Sequence, residues 1–187
     1  MNRREAIRNT SLFLGYTIAV GTSAAIMQGC KAEPIIDYTP EYLTMDQLKD
    51  VMHLAERIIP QTDTPGAMAA GVHTFIDKTV SRFWEREDQE KFKLELDAFS
   101  SKVLADVGSP FHKLEAKTQD KIVSTLAQEK GDDTLFKTMR ELTVSGFFSS
   151  EAGLTKVLNY NPVPGPYQGC VDYTAGSPVD SFHAGGW

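Results

Sequence analysis

Four histidines, His53, His73, His112 and His183, and the carboxylates near them are the side chains whose type and spacing bear on chemistry. His53 and Glu56 stand three apart, and His73 and Asp77 four apart, so on helices each pair shares a face. Two such pairs facing one groove would offer ligands to a metal. Helical di-metal sites, however, use Glu-x-x-His in that order with further glutamates, and His53–Glu56 runs the other way. His73–Asp77 therefore reads first as an (i, i+4) pair on a surface or at an interface. Asp63 precedes Thr64 in a polar turn, where its carboxylate caps the next helix or closes an Asx-type turn. As a lone acid or base it has no nucleophile or metal beside it. Cys170 has no base near it in sequence to activate its thiol. The chain contains no G-x-G-x-x-G after a strand, no P-loop, no C-x-x-C-H and no G-x-S-x-G. It is therefore expected to hold no flavin, nucleotide, covalent haem or metal of its own, and no catalytic residue. An enzyme acting through His73, Asp77 or Asp63 is the reading these residues support least.

The elements that position these groups read as helices throughout. The chain has 187 residues, a one-domain length, with 41% apolar and 24% charged residues. Thr44-Met45-Asp46-Gln47 is a capping-box pattern, followed by Leu48, Val51, Met52, Ala55, Ile58 and Ile59 on one helical face. Pro60 stops that helix. A second, from Pro65 to about Glu85, carries Val72, Phe75, Ile76, Val80 and Phe83 on one stripe. Thr64 is placed to cap it, with Pro65 at its first position. Gly66, Ala67, Ala69, Ala70 and Gly71 leave its first turn nearly bare, open to close approach by another backbone or a ligand. A third helix, from about Asp88 to Val107, has Phe92, Leu96, Phe99, Val103 and Leu104 and stops at Gly108. A fourth begins at Thr118, a fifth is capped by Asp132 or Asp133, and a short piece spans about Glu151 to Leu158. No segment alternates as a strand would. The expected fold is an all-α bundle of five to six helices over residues 44–159, followed by an irregular Pro/Gly/aromatic arm over residues 160–187.

The first 29 residues have a basic start with Arg3 and Arg4 adjacent, a weakly apolar run from Leu12 to Met27, and a small-residue end. Paired arginines and mild hydrophobicity point to twin-arginine export, the route for proteins that cross already folded. Met27-Gln28-Gly29-Cys30 resembles a bacterial lipoprotein cleavage site, which would leave Cys30 as a lipidated N-terminus in a membrane-anchored periplasmic protein. The rival is a disulfide between Cys30 and Cys170, the two cysteines of the chain. Residues 30–43 read as a tether. Without Arg3, Arg4, Arg8 and Glu5 the remainder carries 16 basic against 24 acidic side chains, a charge of −8 in place of −6. Such a domain is a poor nucleic-acid binder.

Two long stretches, IIPQTDTPGAMAAGVHTFID from Ile58 and LTVSGFFSSEAGLTKVLNYNPVPGPYQGC from Leu142, resemble the gluconate 2-dehydrogenase subunit 3 family, and the likeness covers most of residues 44–173. The resemblance implies a non-catalytic small subunit of a membrane-associated sugar or gluconate dehydrogenase. It implies as partners a large subunit of the glucose–methanol–choline type that carries FAD, a cytochrome c subunit with haem c, and the twin-arginine translocase. The small subunit would then act as export escort, tether and structural support. Within the two stretches, Asp63, Thr64, Pro65, Gly66, His73, Phe147, Phe148, Tyr160, Pro164, Tyr167 and Cys170 are the expected docking residues. Gly66 and Ala67 are expected to pack against the Gly146–Cys170 stretch. The alternative is a stand-alone exported lipoprotein that binds a small ligand.

Overall fold

Apolar spacing makes the first helix, α1 (Met45–Ile58), the axis of the bundle: Leu48, Val51, Met52, Leu54 and Ala55 are all buried. The computed structural model describes residues 37–128, 134–163, 172 and 174–176. The chain is all-α, and among the described residues there is no strand. Helix α1 opens on the expected capping box. Thr44 Oγ1 accepts from Gln47 N at 3.3 Å and Gln47 Oε1 accepts from Thr44 N at 2.9 Å, worth about 1 kcal/mol of helix stability.

Around α1 stand α2 (Val72–Phe83), α3 (Arg86–Val107), α4 (Ala116–Leu126) and α5 (Leu135–Phe148), with a 3₁₀ turn at Phe111–Lys113 and a π-helical turn at Gly153–Val157. The core is filled by Val72, Ile76 and Val80 of α2, Phe92, Leu96, Phe99 and Val103 of α3, Phe111, Val123, and Leu135, Met139 and Phe147 of α5. Phe99 and Phe111 meet edge-on at 5.2 Å. Gly108 ends α3 as expected, in the left-handed region at φ 76° with its N–H on the Leu104 carbonyl. Thr134 caps α5, its Oγ1 accepting from Lys137 N at 3.4 Å; Asp132 and Asp133 lie outside the described residues.

Three expectations change. Phe83 is 79% exposed, because α2 ends there and Trp84 turns in to pack edge-on against Phe92 at 5.6 Å. Leu104 is 51% exposed, since it follows Val103 by one residue and points about 100° away from the buried stripe. The second helix begins at Val72, not Pro65. Residues 66–70 make one helical turn (Ala70 N to Gly66 O, 3.0 Å), closed by Gly71 N to Met68 O and Val72 N to Ala67 O. With Gly71 at φ 71° these two bonds form a Schellman motif, which stops a helix. The chain therefore turns once, stops and restarts.

Candidate functional site

The stretch from Ile59 to Gly71 is held by a carboxylate from the helix before it. Buried Glu56 accepts from Gln61 N at 2.9 Å with Oε1 and from Met68 N at 2.8 Å with Oε2, while Ala67 N donates to Ile59 O at 2.9 Å. Glu56 thus supplies acceptors to an amide on each side of the loop, one of them an orphan donor of the 66–70 turn. Gly66 lies directly over it. A Cβ there would sit 2.5 and 2.6 Å from the two carboxylate oxygens and 2.6 Å from Gln61 N, so only glycine fits the present packing. The close approach foreseen at Gly66 is therefore made by Glu56 of the same chain. Thr64 does not cap α2; its Oγ1 lies 3.4 Å from that of Thr62, and Thr62 N donates to Thr64 O. At this tip Asp63 is exposed, with no hydrogen bond or ion pair among the described residues.

A second carboxylate holds the segment entering the bundle. Asp77, fully buried on α2, accepts from Tyr38 Oη at 2.7 Å, Glu41 N at 2.6 Å, Tyr42 N at 3.2 Å and Leu43 N at 2.9 Å. It therefore forms no pair with His73. Burial, and then the bond to Asp77, raises the Tyr38 phenol above the ordinary tyrosine range. Beside it Arg82 clasps Glu41 in a two-pronged pair, and the Lys78 ammonium lies 5.4 Å from the centre of the Tyr38 ring. The guanidinium of Arg82 in turn lowers the Glu41 carboxyl from its ordinary value.

A third, Asp50, joins α1 to α3 and to the 3₁₀ turn. It accepts from Ser100 Oγ at 2.7 Å and from His112 N at 3.1 Å, and lies 2.7 Å from His112 Nδ1. His53 stands 6.4 Å from His112, ring centre to ring centre, and takes Gln119 Nε2 at 3.2 Å on Nδ1; Gln119 Nε2 also donates to Phe111 O. Glu56 faces the loop instead of His53, so the pair considered for a metal is split between two structural roles. Among the described residues no group of three histidine, cysteine or carboxylate side chains is placed to hold a metal ion.

Burial, reinforced for His53 by the neighbouring His112, lowers the pKa of His53 and of His73 below the ordinary 6.5. His73 Nδ1 is buried without a hydrogen-bond partner. A histidine depressed in the fold binds its proton more tightly once unfolded, so its stabilising share is complete above about pH 6.5 and is lost as pH falls toward the folded value. Melting temperature measured across this window should therefore drop on acidification, and His53→Gln with His73→Gln should flatten the slope.

The two motif stretches meet at Phe75 and Gly146. A Cβ on Gly146 would lie 2.6 Å from Phe75 Cδ1, so the Phe75 ring rests directly on the α5 backbone. Two turns further along α2, Phe83 lines a groove together with Thr138, two turns earlier on α5. The helices are therefore antiparallel, and the Glu56-pinned loop and the C-terminal end of α5 share one end of the bundle. The latch at Glu41–Arg82 belongs to the other end of α2.

Of the expected docking residues, Asp63, Phe148 and Tyr160 are exposed, Thr64, Pro65 and His73 are half-buried, and Gly66 and Phe147 are buried in the fold. Phe147 is core, packed edge-on against Phe148 at 5.3 Å. Arg3, Arg4, Cys30, Pro164, Tyr167 and Cys170 lie outside the described residues. The structural work of Glu56 and Asp77 was missed. Its signal was a carboxylate beside apolar positions: Asp77 follows Ile76 and precedes Val80 by three.

The model of the family described as gluconate 2-dehydrogenase subunit 3 matches residues 45–165, from the start of α1 past the π-helical turn. The match takes in the pinned loop, the Phe75–Gly146 contact and Tyr160. No curated protein and no solved structure matches the chain.

Proposed function

We propose, from the premise that the chain belongs to the gluconate 2-dehydrogenase subunit 3 family, that it is the non-catalytic small subunit of a periplasmic, membrane-associated sugar or gluconate dehydrogenase. The observation that carries the reading is the match over residues 45–165, whose two motif stretches touch at Phe75–Gly146. The roles of the ionisable groups support it. Glu56, Asp77 and Asp50 are each committed to backbone amides, which suits a rigid scaffold better than a proton-transfer site. In this reading the FAD belongs to a large subunit of the glucose–methanol–choline type and haem c to a cytochrome subunit. This chain supports the flavoprotein, tethers it through lipidated Cys30, and escorts it through the twin-arginine translocase. A flavoprotein folded around FAD in the cytoplasm must cross folded, and a partner with a folded-protein signal can carry it.

The escort role predicts that Arg3→Lys with Arg4→Lys leaves the co-expressed large subunit in the cytoplasm, as read by flavin and antigen in fractionated cells. Arrival of the large subunit in the periplasm with this double variant would remove the escort role. A second reading, a stand-alone exported lipoprotein holding a small apolar ligand, draws on a groove of about 470 Å³ among Phe99, Val103, Val107, Ile122, Leu126 and Leu135. It predicts a bound small molecule and no flavoprotein in native mass spectra of the extracted chain.

A further inference from the structure

The corner between α2 and α3 holds a cleft with aromatic walls. Tyr42, from the segment entering the bundle, and Trp84, from the link between the two helices, line it together with Arg86, Gln89, Glu90 and Lys93 at the start of α3. Its volume is about 550 Å³, inside the range of roughly 300–1,000 Å³ usual for small-molecule sites. We infer that this cleft binds a sugar acid, a pyranose ring that carries a carboxylate. The residue types divide the work. Tyrosine and tryptophan rings offer flat apolar area with a negative face, against which the C–H bonds of a sugar ring can pack. Two cations, Arg86 and Lys93, stand with one carboxylate, Glu90, so the lining favours an anion. An apolar molecule or a neutral sugar would shield those cations from water and give them no counter-charge.

The walls are fixed before a ligand arrives, which lowers the ordering cost of binding. Tyr42 N donates to the buried Asp77 carboxylate, as do the amides of Glu41 and Leu43 on either side of it. The Trp84 ring packs edge-on against the buried Phe92 at 5.6 Å. Gln89 Nε2 donates to the carbonyls of Val80, Ser81 and Trp84 at 2.8, 3.2 and 3.2 Å, which ties the end of α2 to the start of α3. The Gln89 Oε1 is left to accept from a ligand hydroxyl. Lys93 Nζ lies 5.6 Å from the centre of the Tyr42 ring, so the ammonium is held at the aromatic wall. Arg86 pairs with Glu90 at 3.4 Å, but both side chains are largely exposed and the pair is weak. A ligand carboxylate can therefore take the guanidinium in a two-pronged contact and leave Glu90 to accept from hydroxyls.

Every group of the cleft lies in this chain, so the test uses the full-length protein alone and does not depend on the subunit reading. Calorimetric titration with glucuronate should show one saturable site. Glucose, which lacks the carboxylate, and gluconate, an open chain without a ring face, should each bind at least fivefold more weakly. Lys93→Gln should raise the Kd for glucuronate at least tenfold with an unchanged melting temperature. Trp84→Leu should do the same; it also removes the contact with Phe92, and if it does not fold, Lys93→Gln decides. Lys102→Gln, in the apolar groove between α3 and α4, should leave Kd within twofold. No saturable binding of glucuronate would overturn the assignment. So would equal affinity for glucose or gluconate, or an unchanged Kd in Lys93→Gln. None of these results would touch the subunit reading, which stands or falls on the flavoprotein.

Discussion

Replacing Asp77 with alanine is expected to lower the stability of the bundle by about 4 kcal/mol, the largest single effect predicted for this chain. Hydrogen bonds to an ionised acceptor contribute roughly 1.5–3 kcal/mol each and do not add fully. Here one carboxylate takes four, from Tyr38 Oη and from the amides of Glu41, Tyr42 and Leu43. Truncation would empty a fully buried acceptor position, leaving the buried Leu43 amide and the part-buried donors of Tyr38, Glu41 and Tyr42 without their partner. For a domain of this size the loss corresponds to a melting temperature lower by about 10 °C. Asp77→Asn keeps an acceptor oxygen but turns a second group into a donor facing donors, and should cost roughly half as much. Amide exchange gives a local reading: the protons of residues 41–43 should exchange rapidly in Asp77→Ala. Protection of those amides as strong as in the wild type would show that Asp77 does not hold the entering segment.

The second large effect concerns Glu56 and Gly66. Gly66→Ala forces a methyl against both carboxylate oxygens and Gln61 N, and overpacking of this kind costs about 2 kcal/mol. Glu56→Ala leaves the amides of Gln61 and Met68 unpaired, at a similar cost of about 2 kcal/mol. The two changes act on one contact. Without the carboxylate two of the three close contacts disappear and the Gln61 amide, no longer tied to Glu56, can shift from the methyl, so the double variant should be less destabilised than the sum by at least about 1 kcal/mol. Urea unfolding of the four proteins in the cycle measures this coupling. Strict additivity would mean that Gly66 is required by something other than Glu56.

Much of the fold was legible because it rests on local rules. The capping box at Thr44–Gln47, the stop at Gly108 and the buried stripes of α1 and α3 follow from short-range spacing and cap chemistry, which tertiary contacts here reinforce. The start of α2 was not legible. Thr64-Pro65 is a sound helix start by its own chemistry. The competing Schellman closure at Gly71 depends on where the amides of Ala67 and Met68 find acceptors, and those are Ile59 O and Glu56, supplied by another helix. Likewise His73–Asp77 has pair spacing, but Asp77 is claimed by amides that lie more than thirty residues earlier in the chain. Spacing shows which side chains share a face and says little of which distant donors will reach them. The close approach at Gly66 was foreseen; that the Glu56 carboxylate of the preceding helix makes it was not. The meeting of the two motif stretches was foreseen too, and among the described residues it is seen at Phe75 and Gly146.

The central claim, that this chain is a supporting subunit of a flavoprotein dehydrogenase, is tested most directly by purifying the full-length protein from membranes through a C-terminal tag, with the large subunit co-expressed. Flavin absorbance and protein stoichiometry are then read on the eluted material. The account predicts a yellow complex with the large subunit and this chain in equal amounts, and dehydrogenase activity that stays with the large subunit when the two are separated. A colourless chain eluting alone from the same membranes would contradict it.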